Sequence, residues 1–425
     1  MIKKMLPPGW SKNLVVYEVN LRQYTAGGTF REFSDHLPRL AELGVGILWF
    51  MPVQPVGVLN RKGTLGSYYS ISDYMAVDPA YGTLEEFRDM VDRIHSLGMF
   101  VLLDWVANHT SWDNVLTKSH PEFYRHNEAG DVFPPIDEWS DVIGLDYTNP
   151  DLREYMIGAM QFWLMETGID GFRCDMANLV PVDFWEEARS RLDETKPVFM
   201  LAEAEQHEML NYAFDSIYNW NLLHLMNGMA QSERSVADLD AMLNIEISEF
   251  PKDSYQLLFT SNHDENSWNG SEIERLHFGL EAYTVLAFTL TGMPLIYSGQ
   301  EAGNYRRLSF FDKDMIDWKK DKMFGLFQRL NYLKRTSPAL WSGPFGGDFT
   351  RLSSASSDVF AFSRSKDENH IVVVINFSAK SQHSELAGMP LGNYIDFFNG
   401  GHAALCNGMS LYLQPWEYRI YRAVS

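Results

Sequence analysis

Short apolar runs, rich in β-branched and aromatic residues, alternate with longer amphipathic runs from residue 14 to about 340. Eight of them stand out: Leu14–Val19, Gly46–Val53, Met99–Val106, Ile169–Cys174, Val198–Ala202, Ser216–Tyr218, Tyr255–Ser261 and Leu295–Ser298. Near-continuous apolar runs are what strands buried on both faces require, so the pattern predicts a parallel sheet covered by helices. Between the runs lie "TFREFSDHLPRLAELG" (29–44), "TLEEFRDMVDRIHSLG" (83–98) and "NPDLREYMIGAMQFWLMETG" (149–168), each with helical spacing of its apolar residues. The first two open on Thr with an acidic residue three positions later, and all three close on Gly. These are capping and stop signals. Eight strand–helix repeats predict an α/β fold of the (β/α)8 TIM-barrel type.

Two intervals depart from this rhythm. Residues 110–148 are polar, rich in Pro and Asp, and too long for an ordinary βα loop. They read as a small domain or lid inserted after strand three. Beyond Pro344, "DVFAFSRS", "HIVVVINFS", "NYIDFFNG" and "SLYLQPWEYRIYRA" alternate with turn residues, which predicts a separate C-terminal antiparallel β-sandwich. The expected division is a barrel over 1–109 and 149–342, an insert over 110–148 and a sandwich over 343–425.

Composition narrows the function. No apolar run approaches the ~20 residues that span a bilayer. "MIKKMLPPGWSK" has lysines but no apolar segment after them, so no signal peptide is expected and the cytoplasm is favoured. A periplasmic or secreted protein with its leader removed is the alternative. The formal charge of −21, from 56 acidic and 35 basic side chains, repels phosphate backbones and argues against nucleic acid. Cys174 and Cys406 are too far apart in sequence to read as a disulfide framework or a zinc site and are expected to be buried, reduced thiols. Aromatic residues at 14% suit a ligand with flat apolar faces and hydroxyl edges, such as a sugar. A monomer is the default expectation, and no organic cofactor is called for.

In a barrel of this kind the loops after the strands build the active site, and the residues at those ends are polar. Strand three closes with "DWVANH" (Asp104, Asn108, His109), strand four with "GFRCDMAN" (Arg173, Asp175), and strand five with "FMLAEAEQH" (Glu203). Strand seven runs into "TSNHDEN", with Asn262, His263 and Asp264. Arg173 and Asp175 share one face of a strand because its period is two. A guanidinium there is expected to favour the anionic form of Asp175.

This combination, in this order and spacing, resembles the α-amylase family of glycoside hydrolases over nearly the whole chain. "GSYYSISDYMAVDPAYGTLEEF" (66–87) is similar to that family's segment between strands two and three. The resemblance implies hydrolysis of α-glucosidic bonds, mainly α-1,4, in starch, maltodextrin or maltooligosaccharides. It assigns Asp175 as nucleophile, Glu203 as general acid/base and Asp264 as the group that stabilises the transition state. It also assigns Tyr69, Asp104, His109, Arg173 and His263 to substrate binding, with Tyr68 competing for the place of Tyr69. The chemistry agrees: a retaining glycosidase needs an acid at the leaving oxygen and a carboxylate at the anomeric carbon, ~5–5.5 Å apart. Ends of adjacent strands ~4.8 Å apart can deliver that pair. Anionic Asp175 and Asp264 are expected to help Glu203 keep its proton.

The resemblance also implies a structural calcium ion held by Asn108, Asp146 and the carbonyl of His207, since hard oxygen donors from separate segments suit that cation. At the third and fourth positions after Asp175, many endo-acting members carry Lys-His. Here they are Asn178 and Leu179, closer to the maltogenic and cyclodextrin-degrading branch or to α-glucosidases. A transglycosylase with the same residues, an exo-acting or cyclomaltodextrinase-type enzyme and a non-catalytic sugar-binding relative are the alternatives. The last is disfavoured because all three carboxylates are present. Asn108-His109-Thr110 is a glycosylation sequon by pattern, at a position that makes glycosylation unexpected.

Overall fold

The computed structural model describes residues 6–424. The eight apolar runs become strands β1 (Val16–Val19), β2 (Ile47–Phe50), β3 (Phe100–Val106), β4 (Gly171–Asp175), β5 (Phe199–Ala202), β6 (Ser216–Tyr218), β7 (Tyr255–Leu258) and β8 (Met293–Tyr297). They close into a barrel in the order β1-β8-β7-β6-β5-β4-β3-β2, so every strand lies beside its neighbours in sequence. The registered pairs are parallel, and the strands are buried almost throughout. That double-sided burial explains why the runs are apolar without alternation.

The described chain divides into two compact units. The first holds Val16–Tyr218 and Tyr297–Lys320, and therefore β1 to β6. In it, helix α1 (Leu84–Ser96) starts on a complete capping box between Thr83 and Glu86. Helix α2 (Pro150–Thr167) is capped by Asn149 and stops at Gly168, which adopts φ 75°. The 29–44 segment, expected as one helix, is two: Phe30–Ser34 and Leu37–Leu43. Pro38 lacks the N–H that would bond to Ser34, and its ring clashes with that carbonyl. In the inserted segment, His109–Ser111 pairs antiparallel with Val142–Gly144. The loop after β2 is tied to this segment by the Lys62–Asp141 ion pair at 3.0 Å. Asp113 adds two bonds by accepting the N–H groups of Val58 and Leu59. Gly171 opens β4 at φ 152°, and a Cβ there would lie 1.9 Å from the Phe199 carbonyl oxygen. Only glycine lets β4 approach β5 at that point.

The second unit holds Asn219–Ile296 and the chain from Asp321 on. It contains α3 (Trp220–Ala230), α4 (Val236–Glu249), β7, α5 (Glu272–Leu276), most of β8 and α6 (Lys322–Thr336). Its C-terminal strands are β9 (Asp348–Ser354), β10 (Val359–Lys366), β11 (Asn369–Asn376), β12 (Gln382–Ala387), β13 (Gly392–Asp396), β14 (His402–Leu405), β15 (Met409–Leu413) and β16 (Tyr418–Ala423). They form one antiparallel sheet in the order β14-β13-β16-β11-β10-β9-β12-β15. Strand β9 pairs with β10 through Asp348–Leu352 and with β12 through Ser353–Ser354. Val359, Val372 and Val374 share one core with Leu386, Leu411 and Leu413, so the sheet folds over onto itself. Fully buried Lys334 on α6 donates to the carbonyls of Gly292, just before β8, and of Leu340, so its polar head is paired although buried. Cys174 is buried as expected, whereas Cys406 is exposed: it follows the end of a short strand, in the turn before β15. Among the described residues no helix is long and apolar enough to cross a membrane.

Candidate active site

The first unit gathers four polar side chains around one guanidinium. Arg173, fully buried on β4, donates Nε–H to the hydroxyl of Tyr218 at 3.1 Å. Its Nη1 donates to Asp104 Oδ1 at 2.9 Å and Asp175 Oδ1 at 3.0 Å. Its Nη2 lies 2.9 Å from Glu203 Oε2, an ion pair by distance in which the N–H is not aligned as a hydrogen bond. Burial alone would drive the guanidinium towards neutrality; the charges of Asp104 and Glu203 outweigh it and hold its pKa well above the ordinary value. Trp49 and Tyr69 both donate to Asp104 Oδ2, at 3.1 and 3.2 Å. Asp104 therefore locks the guanidinium while two aromatic side chains lock Asp104.

Arg173 touches more than Asp175; the same cation sits against Glu203. Glu203 is fixed further because its Oε2 accepts the Met176 backbone N–H at 2.9 Å, which leaves Oε1 as the oxygen turned to other work. Met176, directly after Asp175, adopts φ 41°, ψ 46°, a left-handed conformation that costs a non-glycine residue about 1 kcal/mol or more. The kink is held at both ends, by Met176 N–H on Glu203 Oε2 and by Ala177 N–H on the Glu203 carbonyl.

The two tyrosines have different partners. Tyr69 joins the cluster through Asp104, and its ring lies 5.7 Å from the Arg173 guanidinium and roughly parallel to Phe310 at 6.4 Å. Tyr68 instead packs its ring on Arg22 at 3.8 Å. His109 is buried beside Trp139, with ring centroids 5.5 Å apart. Burial lowers its pKa to about 4, against an opposing pull from Asp141, so the ring is neutral at physiological pH.

His263 and Asp264 lie in the second unit, just past β7, with His263 Nε2 3.2 Å from Asp264 Oδ2. The Thr260–Gly270 loop that carries them is fastened by Arg275 of α5. Its guanidinium donates to the carbonyls of Gly270 and Thr260, at 2.9 and 2.8 Å, and to Ser261 Oγ. It also reaches Asn227 and pairs with Glu265 at 3.4 Å. Asn262 Oδ1 accepts the Glu265 N–H inside the loop.

For the expected cation site, Asn108 Oδ1 is buried with no hydrogen-bond partner, a feature that fits a hard cation. Asp146 spends Oδ1 on the N–H and hydroxyl of Thr148, and His207 is exposed on a short 3-10 turn. No group of three His, Cys, Asp or Glu side chains gathers among the described residues.

Sequence reasoning missed Tyr218, Trp49, Trp139 and Arg275. Tyr218 ends a three-residue strand, and Trp49 sits mid-strand among apolar residues; neither carries a local signal of polar duty. Arg275 follows a capping box at Ser271–Glu274, which marks a helix but not what its arginine holds.

The sequence matches the family model for the α-amylase catalytic domain over residues 16–142 and 137–332. It also matches the model for the maltogenic amylase C-terminal domain over 349–420. A noncanonic maltogenic α-amylase from Thermotoga neapolitana is 30% identical and superposes with TM-score 0.90, covering 98% of this chain and 100% of that one. An α-amylase from Lactobacillus plantarum is 30% identical with TM-score 0.89 and the same coverage. A cyclomaltodextrinase from a Bacillus species is 26% identical, spanning 91% of this chain and 76% of its own length.

Two outcomes follow from this geometry. The unfolded chain binds a proton at His109 near pH 6.5, the folded chain only near pH 4. Unfolding stability is therefore expected to fall as pH drops through that window, by about 3 kcal/mol in total. His109→Gln should flatten the pH profile of denaturant unfolding there; an unchanged slope would show that His109 is not its source. Arg275→Met removes the fastener of the Thr260–Gly270 loop and is expected to cost about 3 kcal/mol. Faster amide exchange confined to that loop checks it, and native-like protection throughout would refute it.

Proposed function

The chain belongs to the α-amylase family of glycoside hydrolases and cleaves glucosidic bonds in α-glucans; from that premise we propose that it does so with retention, through a covalent glucosyl-enzyme on Asp175. The observation that supports this reading is the single guanidinium of Arg173 touching both Asp175 and Glu203. One cation holding both carboxyl groups supports their acting on the same sugar carbon, and retention calls for such a pair about 5–5.5 Å apart.

In the first step, a carboxylate oxygen of Asp175 bonds to the anomeric carbon while the bond from that carbon to the bridging oxygen breaks. Glu203 delivers its proton to the departing oxygen from Oε1, because Oε2 is occupied by Arg173 and the Met176 N–H. In the second step, Glu203 takes a proton from water, the water oxygen bonds to the anomeric carbon, and Asp175 leaves. Two inversions restore the original configuration. Arg173 and Asp104 hold the nucleophile in place, Tyr69 offers its ring to the sugar, and His109 and His263 bind hydroxyls. Asp264 stabilises the positively charged, flattened ring. One cation among Asp104, Asp175 and Glu203 leaves the cluster net negative, which favours an oxocarbenium-like state over the neutral substrate.

The substrates proposed are α-1,4-linked starch, maltodextrin and maltooligosaccharides. A cyclomaltodextrinase-type preference for small or cyclic glucans is the second reading. It is supported by the match of residues 349–420 to a maltogenic amylase domain and by Asn178–Leu179 after the nucleophile. A structural calcium ion completes the proposal, supported by the orphaned Asn108 Oδ1. Asn108, Asp146 and the His207 carbonyl would hold it, and when bound it stiffens the inserted segment without entering the sugar chemistry.

Proton NMR of the first products from maltotriose is expected to show the α-anomer, and an initial β-anomer would refute retention. Asp175→Asn and Glu203→Gln should each lower turnover by roughly 1,000-fold or more while the protein still melts cooperatively. Near wild-type rates from either variant would remove its assigned role. Chromatography of products from soluble starch, maltotriose and β-cyclodextrin separates the two substrate readings. For calcium, chelator-treated protein should melt higher once calcium is restored; an unchanged melting temperature would discard the ion.

A further inference from the structure

The second unit contains a cavity of about 430 Å³ that no residue of the Arg173 cluster lines. It is bounded by α3 and α4, the Phe250–Gln256 segment, the Leu290–Gly292 turn and the Gly343–Phe349 entry to the C-terminal sheet. That volume is at the small end of the roughly 300–1,000 Å³ typical of ligand pockets, so it suits a small molecule rather than a length of polymer.

One part of the lining is polar and pre-set. Glu246 Oε1 accepts from Asn219 Nδ2 at 2.9 Å, and Gln256 hydrogen-bonds the same carboxyl. Asn219 is itself immobilised: its Oδ1 accepts the Leu222 N–H at 2.8 Å and its backbone N–H bonds to the Leu257 carbonyl. Two aromatic rings add flat apolar surface. Phe250 and Phe349 both line the cavity, and Phe349 is backed by Phe362, stacked at 5.2 Å and 26°. Lys252 and Asp348, both exposed, add one charge of each sign.

These features select the ligand's chemistry. Lys252 and Asp348 offset one another, which favours neither an anion nor a cation. Glu246 spends its carboxyl on two neutral amides, Asn219 and Gln256, and so presents a polar hydrogen-bonding edge rather than a free charge to the cavity. What remains is a neutral molecule with apolar faces and hydroxyl edges. We propose that this cavity is an accessory site for a short maltooligosaccharide, binding sugar that the catalytic centre does not hold. The assignment to α-glucan fragments rests on the function proposed above, because that reaction supplies them.

The test uses the full chain carrying Asp175→Asn, so that sugar is bound but not consumed. Calorimetric titration with maltotriose should show two binding events. Adding Phe349→Ala or Glu246→Ala, on different walls of the cavity, should weaken one event by roughly tenfold or more and spare the other. If one variant fails to fold, the other still decides. A single event insensitive to both variants would overturn the accessory site, while wild-type hydrolysis of maltotriose would leave the catalytic reading intact. Wild-type protein inert towards starch and maltotriose would overturn the catalytic reading instead.

Discussion

A fully buried guanidinium is costly to desolvate, and at Arg173 the cost is met by giving its nitrogens anionic or polar partners. Those partners come from four consecutive strands: Asp104 from β3, Asp175 from β4, Glu203 just past β5 and Tyr218 from β6. The ion network is therefore also a set of cross-ties along the strand ends of the first unit. Lysine could not substitute, since a single ammonium lacks the planar fork that reaches partners on several sides. Chemistry and fold share one interaction here: the cation that positions the carboxylates is the cation whose burial depends on them.

Strain and fixation meet at the same place. Gly171 allows β4 to crowd β5 at its start, and Met176 bends the chain into a left-handed turn at its end. The bend aims a backbone N–H at Glu203, so that carboxyl is held by the residue next to Asp175. The second unit repeats the device with Arg275, which gathers two carbonyls, a hydroxyl and a carboxylate along one loop. In both units a buried arginine does what no short-range turn could: it sets the shape of a rim segment from several directions at once.

Much of this could be read from the chain before its structure was known. The eight strands were legible because burial on both faces forces a local composition, and α1 and α2 because their caps are local hydrogen-bonding motifs. The rim carboxylates were legible because apolar strands ended repeatedly in polar clusters. The division of the 29–44 segment followed from Pro38 but was masked by good capping signals at both ends. The exposure of Cys406 and the cavity beside Glu246 had no local signature.

By itself, then, the sequence determined the order of elements, the residues available at each strand end and the class of reaction they can perform. The first two depend on periodicity, capping and spacing within a few residues; the class of reaction is what the family resemblance of those strand ends implies. Tertiary structure alone decided that Arg173 is shared by three carboxylates, that Tyr69 rather than Tyr68 joins Asp104, and that Tyr218 takes the Nε–H of the guanidinium. Those choices depend on the register between strands whose paired residues are 28 and 69 apart in the chain, for which the pairings Asp104↔Arg173 and Cys174↔Ala202 fix which side chains meet. Partners chosen across a barrel leave no mark on the residues beside them in the chain.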